Sequence, residues 1–443
     1  MKKLVTLLAA AGMVVAASAP ASAVDVKVDA RHRVSFMTGE KNFTGANQEF
    51  VQQRLRLGLT MAASENLSGY VNFEIGKEAW GTTSGTNGNL SVKARQVYLD
   101  WTVPATAIKV RMGRHQFGLP GDAFGNNAVF AAGWGNHEGM IVTSPVTDWL
   151  GVTALWSRIG VSDSIIGTGD GKDINSLDGN LNDDLFAVAA NLKFEGISGS
   201  VWGAYAALDG ADAFGSKSGK DYMGTNFVVG HGNAWWLGAT ATVSYFDPFT
   251  LKLSAAYGSY EASDKLTDDT AGWNVQAKAS YKTSFGTPVL GAFYFSGYDK
   301  DNDGLMPSLG GYFTPTRSYH DAAKGLTGLQ GKGIPSGNWG VQAGIEKVSF
   351  LQGLTHDFLV TYMQGTNDKD AKFIKNTDAA WWYLTEDDSL VEFDLVNTYQ
   401  IYKNLAAHLE FSYIISDFDT DRAVVKNYTE NDWRAELCFE YKF

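Results

Sequence analysis

Strict alternation of apolar and polar side chains is the feature of this sequence that most constrains its fold. At the C-terminus every second residue from Trp433 to Phe443 is apolar, and most residues between them are charged. The same period of two runs through residues 24–37 near the other end. Because successive side chains of a β-strand point to opposite faces, each segment predicts a strand between an apolar medium and water.

Sixteen further segments of this kind lie between the two ends, which predicts about eighteen strands, with about sixteen as the alternative if short neighbours merge. Short links such as 64–66 and 402–404 alternate with long polar ones such as 118–138 and 298–338. This rhythm is typical of a transmembrane antiparallel up-and-down β-barrel with its tight turns in the periplasm. Lipid offers backbone groups no hydrogen bonds, so the sheet has to close. We therefore expect an all-β fold with one barrel domain over residues 24–443.

The first 23 residues predict a cleaved signal peptide. Lys2 and Lys3 precede an apolar run from Leu4 to Ala17, and the small residues Ala21-Ser22-Ala23 follow it. The run is too short to cross a bilayer core of about 30 Å as a helix. Together with the alternating strands, the pattern predicts export to a bacterial outer membrane.

Composition supports this class and excludes others. The chain has 49 glycines, 13 tryptophans, 19 tyrosines and 25 phenylalanines but only 19% charged residues, which suits tilted strands with aromatic girdles. Its formal net charge of −12 argues against binding to nucleic acid. The single cysteine, Cys438, has no partner for an internal disulfide.

Three short motifs add to this pattern: the start Val24-Asp25-Val26-Lys27-Val28, the segment Val110-Arg111-Met112-Gly113-Arg114 leading into Phe117-Gly118-Leu119-Pro120, and the alternating end closed by Phe443. They resemble general outer-membrane porins, in particular the homotrimeric porins of sulfate-reducing bacteria. The resemblance implies a water-filled channel for passive diffusion of small hydrophilic solutes and ions, and a homotrimer among outer-membrane lipid and lipopolysaccharide. It also implies that the barrel-assembly machinery reads the terminal aromatics Phe439, Tyr441 and Phe443.

Porins fold a long loop after the fifth strand into the channel, and the resemblance implies the same here. The fifth predicted strand covers residues 107–115, and the Gly-rich segment 118–138 follows it. The carboxylates of that segment are Asp122 and Glu138. We expect both at the constriction.

Parity places a set of basic residues on the inner wall opposite that loop. If the apolar residues of the first, second and fifth strands face lipid, the intervening side chains line the lumen. These are Arg31, Arg33, Arg54, Arg56, Lys109, Arg111 and His115. With Asp122 and Glu138 opposite, they predict a transverse field across the pore. The alternative is that the arginines only pair with inward acids such as Glu74 and Asp100. The basic wall predicts anion preference and the acidic chain predicts cation preference, and the sequence leaves both open.

Parity also points Lys93, Arg95 and Arg114 outward, towards lipid. Lipid phosphates, a subunit contact or a β-bulge are alternative explanations for the charges at Lys93 and Arg95, and a bulge at Gly113 would turn Arg114 inward.

A weak metal motif lies in a long loop. Asp299, Asp301 and Asp303 match the first half of a calcium-binding loop, but Gly310 stands where the bidentate glutamate belongs. A solvated Asx-rich turn is the favoured interpretation, with weakly bound Ca²⁺ as the alternative. No other cofactor is predicted.

Two other functions remain open. A substrate-specific channel, for a sugar or an organic anion, is favoured if inward aromatics form a file, and Trp202, Trp236, Tyr70 and Tyr98 are the candidates. An outer-membrane enzyme or adhesin is the second. Catalytic motifs are absent from the sequence, and His408 and Ser412 on one strand lie about 13 Å apart, too far for a base and its nucleophile. We expect no enzyme activity.

Overall fold

The part of the chain that the computed structural model describes contains eighteen β-strands. The described residues are 24–40, 45–81, 90–125, 127–130, 136–161, 182–208, 232–263, 269–301, 303–309, 313–315, 337–371, 374, 384–419 and 431–443. The predicted signal peptide, residues 1–23, lies outside these residues. The strands are β1 (Asp25–Glu40), β2 (Asn47–Ser64), β3 (Leu67–Ala79), β4 (Val92–Thr102), β5 (Lys109–His115), β6 (His137–Pro145), β7 (Leu150–Val161), β8 (Asn182–Phe194), β9 (Ile197–Leu208), β10 (Gly232–Val243), β11 (Phe249–Ala262), β12 (Thr270–Tyr281), β13 (Thr287–Phe295), β14 (Asn338–Leu351), β15 (Leu354–Gly365), β16 (Ser389–Tyr402), β17 (Leu405–Asp417) and β18 (Asn431–Lys442).

Each strand pairs antiparallel with the next, and β1 pairs with β18, so the sheet closes on itself. The closing register runs from Arg31 opposite Lys442 to Gly39 opposite Arg434. At the chain end, Ala30 and Phe443 exchange two backbone hydrogen bonds, with N···O distances of 2.9 and 3.1 Å. A closed antiparallel barrel of eighteen strands confirms the predicted fold, and excludes the alternative of sixteen. No helix in the described ranges is long and apolar enough to cross a membrane.

Side-chain exposure follows the predicted parity most clearly on β18. Leu437, Phe439 and Tyr441 are about two-fifths exposed on the outer surface, whereas Glu436 and Cys438 on the opposite face are fully buried. The same outward apolar pattern runs through the other strands. The barrel therefore carries an apolar outer belt, the reverse of a water-soluble protein.

The connections separate into a short end and a long end. β8 and β9 are joined by residues 195–196 and β14 and β15 by residues 352–353, whereas residues 116–136 join β5 to β6 and residues 296–337 join β13 to β14. Both termini of the barrel lie at the short end, because the number of strands is even. We call 116–136 the β5–β6 loop and 296–337 the β13–β14 loop.

A charge placed in the outer belt tests this arrangement. Val188→Arg, at an outward position near the middle of β8 that is 56% exposed, is expected to lower the free energy of unfolding by about 2–4 kcal/mol, because the guanidinium enters hydrocarbon. Thr60→Arg is the control, since Thr60 faces the lumen beside Tyr70, and its effect should stay within about 0.5 kcal/mol. Urea unfolding in phospholipid vesicles measures both, and equal effects would contradict the assignment of faces.

Candidate pore constriction and arginine wall

The β5–β6 loop crosses the lumen from one wall to the other. At its base, Phe117 packs against the rings of His115 and Phe130, with centroids 5.0 and 5.5 Å apart. At its far end, the Ala123 N–H donates to Ser254 Oγ of β11 at 3.1 Å. The predicted inward loop is thereby confirmed, and it narrows the channel.

The β13–β14 loop packs on the β5–β6 loop and holds it in position. Ser308 Oγ of the β13–β14 loop donates to the Ala128 carbonyl oxygen at 2.9 Å, and the Leu309 N–H donates to Val129 at 2.8 Å. Both loops pack against small and apolar side chains on the inner faces of β8 to β10. One side of the lumen is consequently filled with an apolar cluster, and the residues of the predicted basic wall lie on the inner face of β1, β2 and β5.

Asp122 has a different role from the one expected of it. Its Oδ2 accepts a hydrogen bond from Gln276 Nε2 of β12 at 3.2 Å, and its Oδ1 accepts from the backbone N–H groups of Phe124 and Gly125 at 3.0 Å. The side chain is buried against β12. The expectation that Asp122 faces the arginines across the open pore is wrong, because this carboxylate anchors the loop to the opposite wall.

Glu138 is not on the loop at all. β6 begins at His137, whose ring packs on Phe117 and Phe130 inside the barrel, so the next residue points outward. There Glu138 pairs with Arg114, which is outward as parity predicted. Its placement at the constriction was wrong because the strand starts earlier than the apolar pattern showed.

Glu138 belongs to a row of charges on the outer surface. The row continues through Arg158, opposite Glu138 in the register, to Asp184, with Arg158 Nη2 and Asp184 Oδ2 3.0 Å apart. It alternates in sign across four strands, so opposite charges meet at each step. We call Arg114, Glu138, Arg158 and Asp184 the outer charge row.

The predicted basic wall is present on the inner face of β1 and β2. Arg31 lies opposite Arg56, and Arg33 lies opposite Arg54, in adjacent inward positions of the register. Like charges placed directly opposite destabilise a sheet. Carboxylates at the two flanks compensate for this repulsion.

Glu440 of β18 is one of those carboxylates. Arg33 Nε donates to its Oε2 at 2.6 Å, Lys442 pairs with it as well, and Arg31 Nε stands 4.0 Å away. Arg31 holds this carboxylate least closely, and its side chain is 32% exposed. It is therefore well placed to meet a solute.

Glu74 of β3 is the other carboxylate. Its Oε2 accepts from Arg56 Nε at 2.8 Å and lies 3.6 Å from Arg95 Nε and 3.9 Å from Arg54 Nη1. The alternative of arginines paired with inward acids is thus partly right. In these contacts five arginines and Lys442 share two carboxylates.

Arg95 is a site residue that parity missed. The register between β3 and β4 shifts where Asn72 faces Gln96 and Phe73 faces Ala94, which leaves Arg95 as the extra residue of a β-bulge. The bulge turns the guanidinium inward to Glu74. The bulge named among the alternatives is therefore the correct explanation for Arg95.

Arg111 extends the wall to β5 and is inward as predicted. Its Nε and Nη2 donate to the two carboxylate oxygens of Asp100 at 2.6 and 2.7 Å, and its Cζ lies 4.1 Å from the centre of the Tyr98 ring. Tyr98 in turn packs on Tyr70, with ring centroids 5.1 Å apart. Lys109, also inward, is exposed and makes no ion pair with any described residue.

His115 faces inward but does not line the open pore. It is 0% exposed, packed between Tyr98 and Phe117 at the base of the loop. The expectation that it lines the pore is wrong, because the loop folds over it.

The two tryptophans of the predicted aromatic file are also taken up by packing, whereas Tyr70 and Tyr98 are only partly buried. Trp202 and Trp236 point inward but are 3% and 0% exposed, and Trp236 Nε1 donates to the Pro307 carbonyl at 2.8 Å. A Cβ at Gly238 would overlap the Trp202 indole, which explains the glycine on the neighbouring strand. Trp236 thereby holds the β13–β14 loop. Neither tryptophan exposes a ring face on which a solute could stack.

The remaining candidates keep their predicted positions. Phe439, Tyr441 and Phe443 form the outward aromatic end of the chain, and their role as an assembly signal stays a prediction. His408 contacts Thr398, and Ser412 donates to Asp394 Oδ1 at 2.6 Å, so these two residues do not form a nucleophile and base pair.

The acidic loop segment forms an Asx turn. Asp299 Oδ1 accepts from the N–H groups of Asp301 and Asp303 at 2.9 Å, and Asp303 Oδ1 accepts from Gly304 at 2.7 Å. Among the described residues, no three His, Cys, Asp or Glu side chains are grouped to hold a metal ion. Weakly bound Ca²⁺ at this turn stays an untested alternative.

Comparison with known proteins bears on the fold. No family model and no curated protein matches the sequence. Similar solved structures include the outer membrane protein OpdK from Pseudomonas aeruginosa, 12% identical over 95% of this chain and 98% of that one, with a TM-score of 0.57. OpdL from the same organism is 14% identical over 95% and 99%, also at 0.57, and OccAB4 from Acinetobacter baumannii is 12% identical over 95% and 98%, at 0.56. At such identities the likeness shows the shared barrel fold.

Removing the charge of Glu74 tests how the arginine wall is held together. Glu74→Gln is expected to lower the free energy of unfolding by about 1.5–3 kcal/mol, because Arg54, Arg56 and Arg95 lose their shared counter-charge. Glu65→Gln, in the exposed turn after β2, is the matched control and should change little. Urea unfolding measures both, and a neutral Glu74→Gln variant would contradict the proposed role of Glu74.

Proposed function

We propose that this protein is an outer-membrane channel for passive diffusion of small hydrophilic solutes, with a preference for anions. The observation that carries the proposal is the arginine wall, in which Arg31, Arg33, Arg54, Arg56 and Arg95 share the carboxylates of Glu74 and Glu440. A low-dielectric wall beside a narrow water path strengthens such a field and attracts ions of opposite sign.

The β5–β6 loop does not present the two carboxylates that were expected to form the negative side of the transverse field, and this favours anions further. Asp122 is engaged with Gln276, and Glu138 is outside the barrel. Local charge at the constriction determines which ion passes, so the proposed preference follows the arginine wall and not the net charge of −12 of the whole chain.

The likeness to known structures agrees with an organic anion as one kind of solute. One of the similar structures is that of OpdK with vanillate, an aromatic carboxylate, at 13% identity and a TM-score of 0.56. The proposal extends to the surroundings: a signal peptide at 1–23 directs export, and lipid with lipopolysaccharide surrounds a homotrimer.

Reversal potentials in a KCl gradient across a planar bilayer test the ion preference. The unmodified channel is expected to pass Cl⁻ in preference to K⁺. Arg31→Gln should reduce the permeability ratio about sixfold, because one unit charge about 8 Å from the ion path in a water-like medium changes the energy of Cl⁻ and of K⁺ by about 0.5 kcal/mol each, in opposite directions.

Arg158→Gln is the matched control for this experiment, because it removes the same charge from the outer surface of the barrel. Its permeability ratio should equal that of the unmodified channel. A preference of the unmodified channel for K⁺ would overturn the anion proposal, and absence of any conductance would overturn the channel itself.

A further inference from the structure

A second feature of the lumen lies between the β5–β6 loop and the short-turn end. A cavity of about 470 Å³ opens on the inner wall there, and besides two outward residues of β4 and β5 it is lined by six others, Asp100, Thr102, Lys109, Arg111, Ile141 and Thr143. All six occupy inward positions of β4, β5 and β6, as the register pairs Asp100 with Arg111, Thr102 with Lys109 and Lys109 with Thr143 show. The volume lies in the range of small-molecule sites, about 300–1,000 Å³.

The charges of this cavity leave one positive charge in excess. Asp100 holds Arg111 through two hydrogen bonds, which neutralises that pair. Lys109 keeps its full charge, since no described residue pairs with it, and its side chain is exposed to the cavity. A single excess cation matches one anionic group, whereas a dianion would bring a second charge close to Asp100.

The other lining residues indicate the chemistry of the uncharged part of the ligand. Ile141 supplies an apolar surface next to Arg111, and Thr102 and Thr143 lie opposite Lys109 in the register. A small inorganic anion would fill a minor part of such a space and leave the apolar wall in contact with water. A carboxylate with an apolar body covers that wall and reaches Lys109 at the same time.

We propose that this cavity is a binding site for small monocarboxylates with an apolar body, which occupy it after passing the β5–β6 loop. The inference rests on the proposed anion channel and adds a discrete, saturable site to it. Lys109 binds the carboxylate by a charge-assisted hydrogen bond, and Arg111 adds to the field at the same point. The channel thus shows saturation for such solutes, whereas chloride passes by diffusion.

Block of the chloride current by benzoate tests this site in planar bilayers. Benzoate is expected to reduce the KCl current saturably, whereas terephthalate, a dianion, and benzylammonium, a cation, are expected to block less. Lys109→Ala should raise the half-blocking concentration of benzoate about tenfold, the loss expected for one charge-assisted hydrogen bond. Lys252→Ala, which removes an exposed inward lysine from β11 on the opposite wall, should leave it unchanged.

A second variant separates the cavity from the general field of the pore. Thr143→Trp fills the cavity without changing any charge, and it should abolish benzoate block while the Cl⁻ to K⁺ permeability ratio stays the same. The KCl conductance of every variant shows that the barrel is folded and open. Equal block in the Lys109 and Lys252 variants, or unchanged block in Thr143→Trp, would overturn the binding site. A channel that prefers K⁺ would instead overturn the anion proposal beneath it.

Discussion

Pairing of β1 with β18 is the constraint on which the rest of the structure depends. It removes the two sheet edges, so that the strand backbone is paired around the ring and the wall can stand in lipid. Because the sheet is closed, one set of alternate side chains faces a common lumen and the other set faces the outside of the barrel. The position of every charged side chain in the wall follows from that division.

Inside the ring, packing divides the lumen unequally. The two long loops and the inner faces of β8 to β10 form a dry cluster around Phe130, Trp236 and Leu309. Such a cluster is stabilised as the core of a soluble domain is, by burial of apolar area. The arginines and Glu440 come together on the other side, where β18, β1 and β2 meet. The filled side thus gives the polar side its narrow cross-section.

The sequence predicts those features of the fold and the site that depend on a single segment of chain, and it misses those that depend on contacts between distant segments. Strand number and facing follow from alternation, which each segment carries by itself, and the inward arginines Arg31 and Arg56 were placed by it. Arg95 was misplaced because a single extra residue in β4 reverses parity, and only the register with β3 reveals it. Glu138 was misassigned because β6 starts earlier than its apolar pattern shows, and Asp122 because its partner Gln276 is distant in sequence and on another wall.

The outer charge row has a consequence for how deep the barrel sits. Along β8, Phe194 at the short-turn end lies ten positions after Asp184 of that row, and the outward side chains between them are apolar. At about 3.3 Å per residue and a tilt of about 40°, this distance spans about 25 Å of height, the thickness of the apolar band of such barrels. The outer charge row therefore marks one boundary of the hydrocarbon core. The level at which the bilayer meets the protein is set by the four side chains of this row.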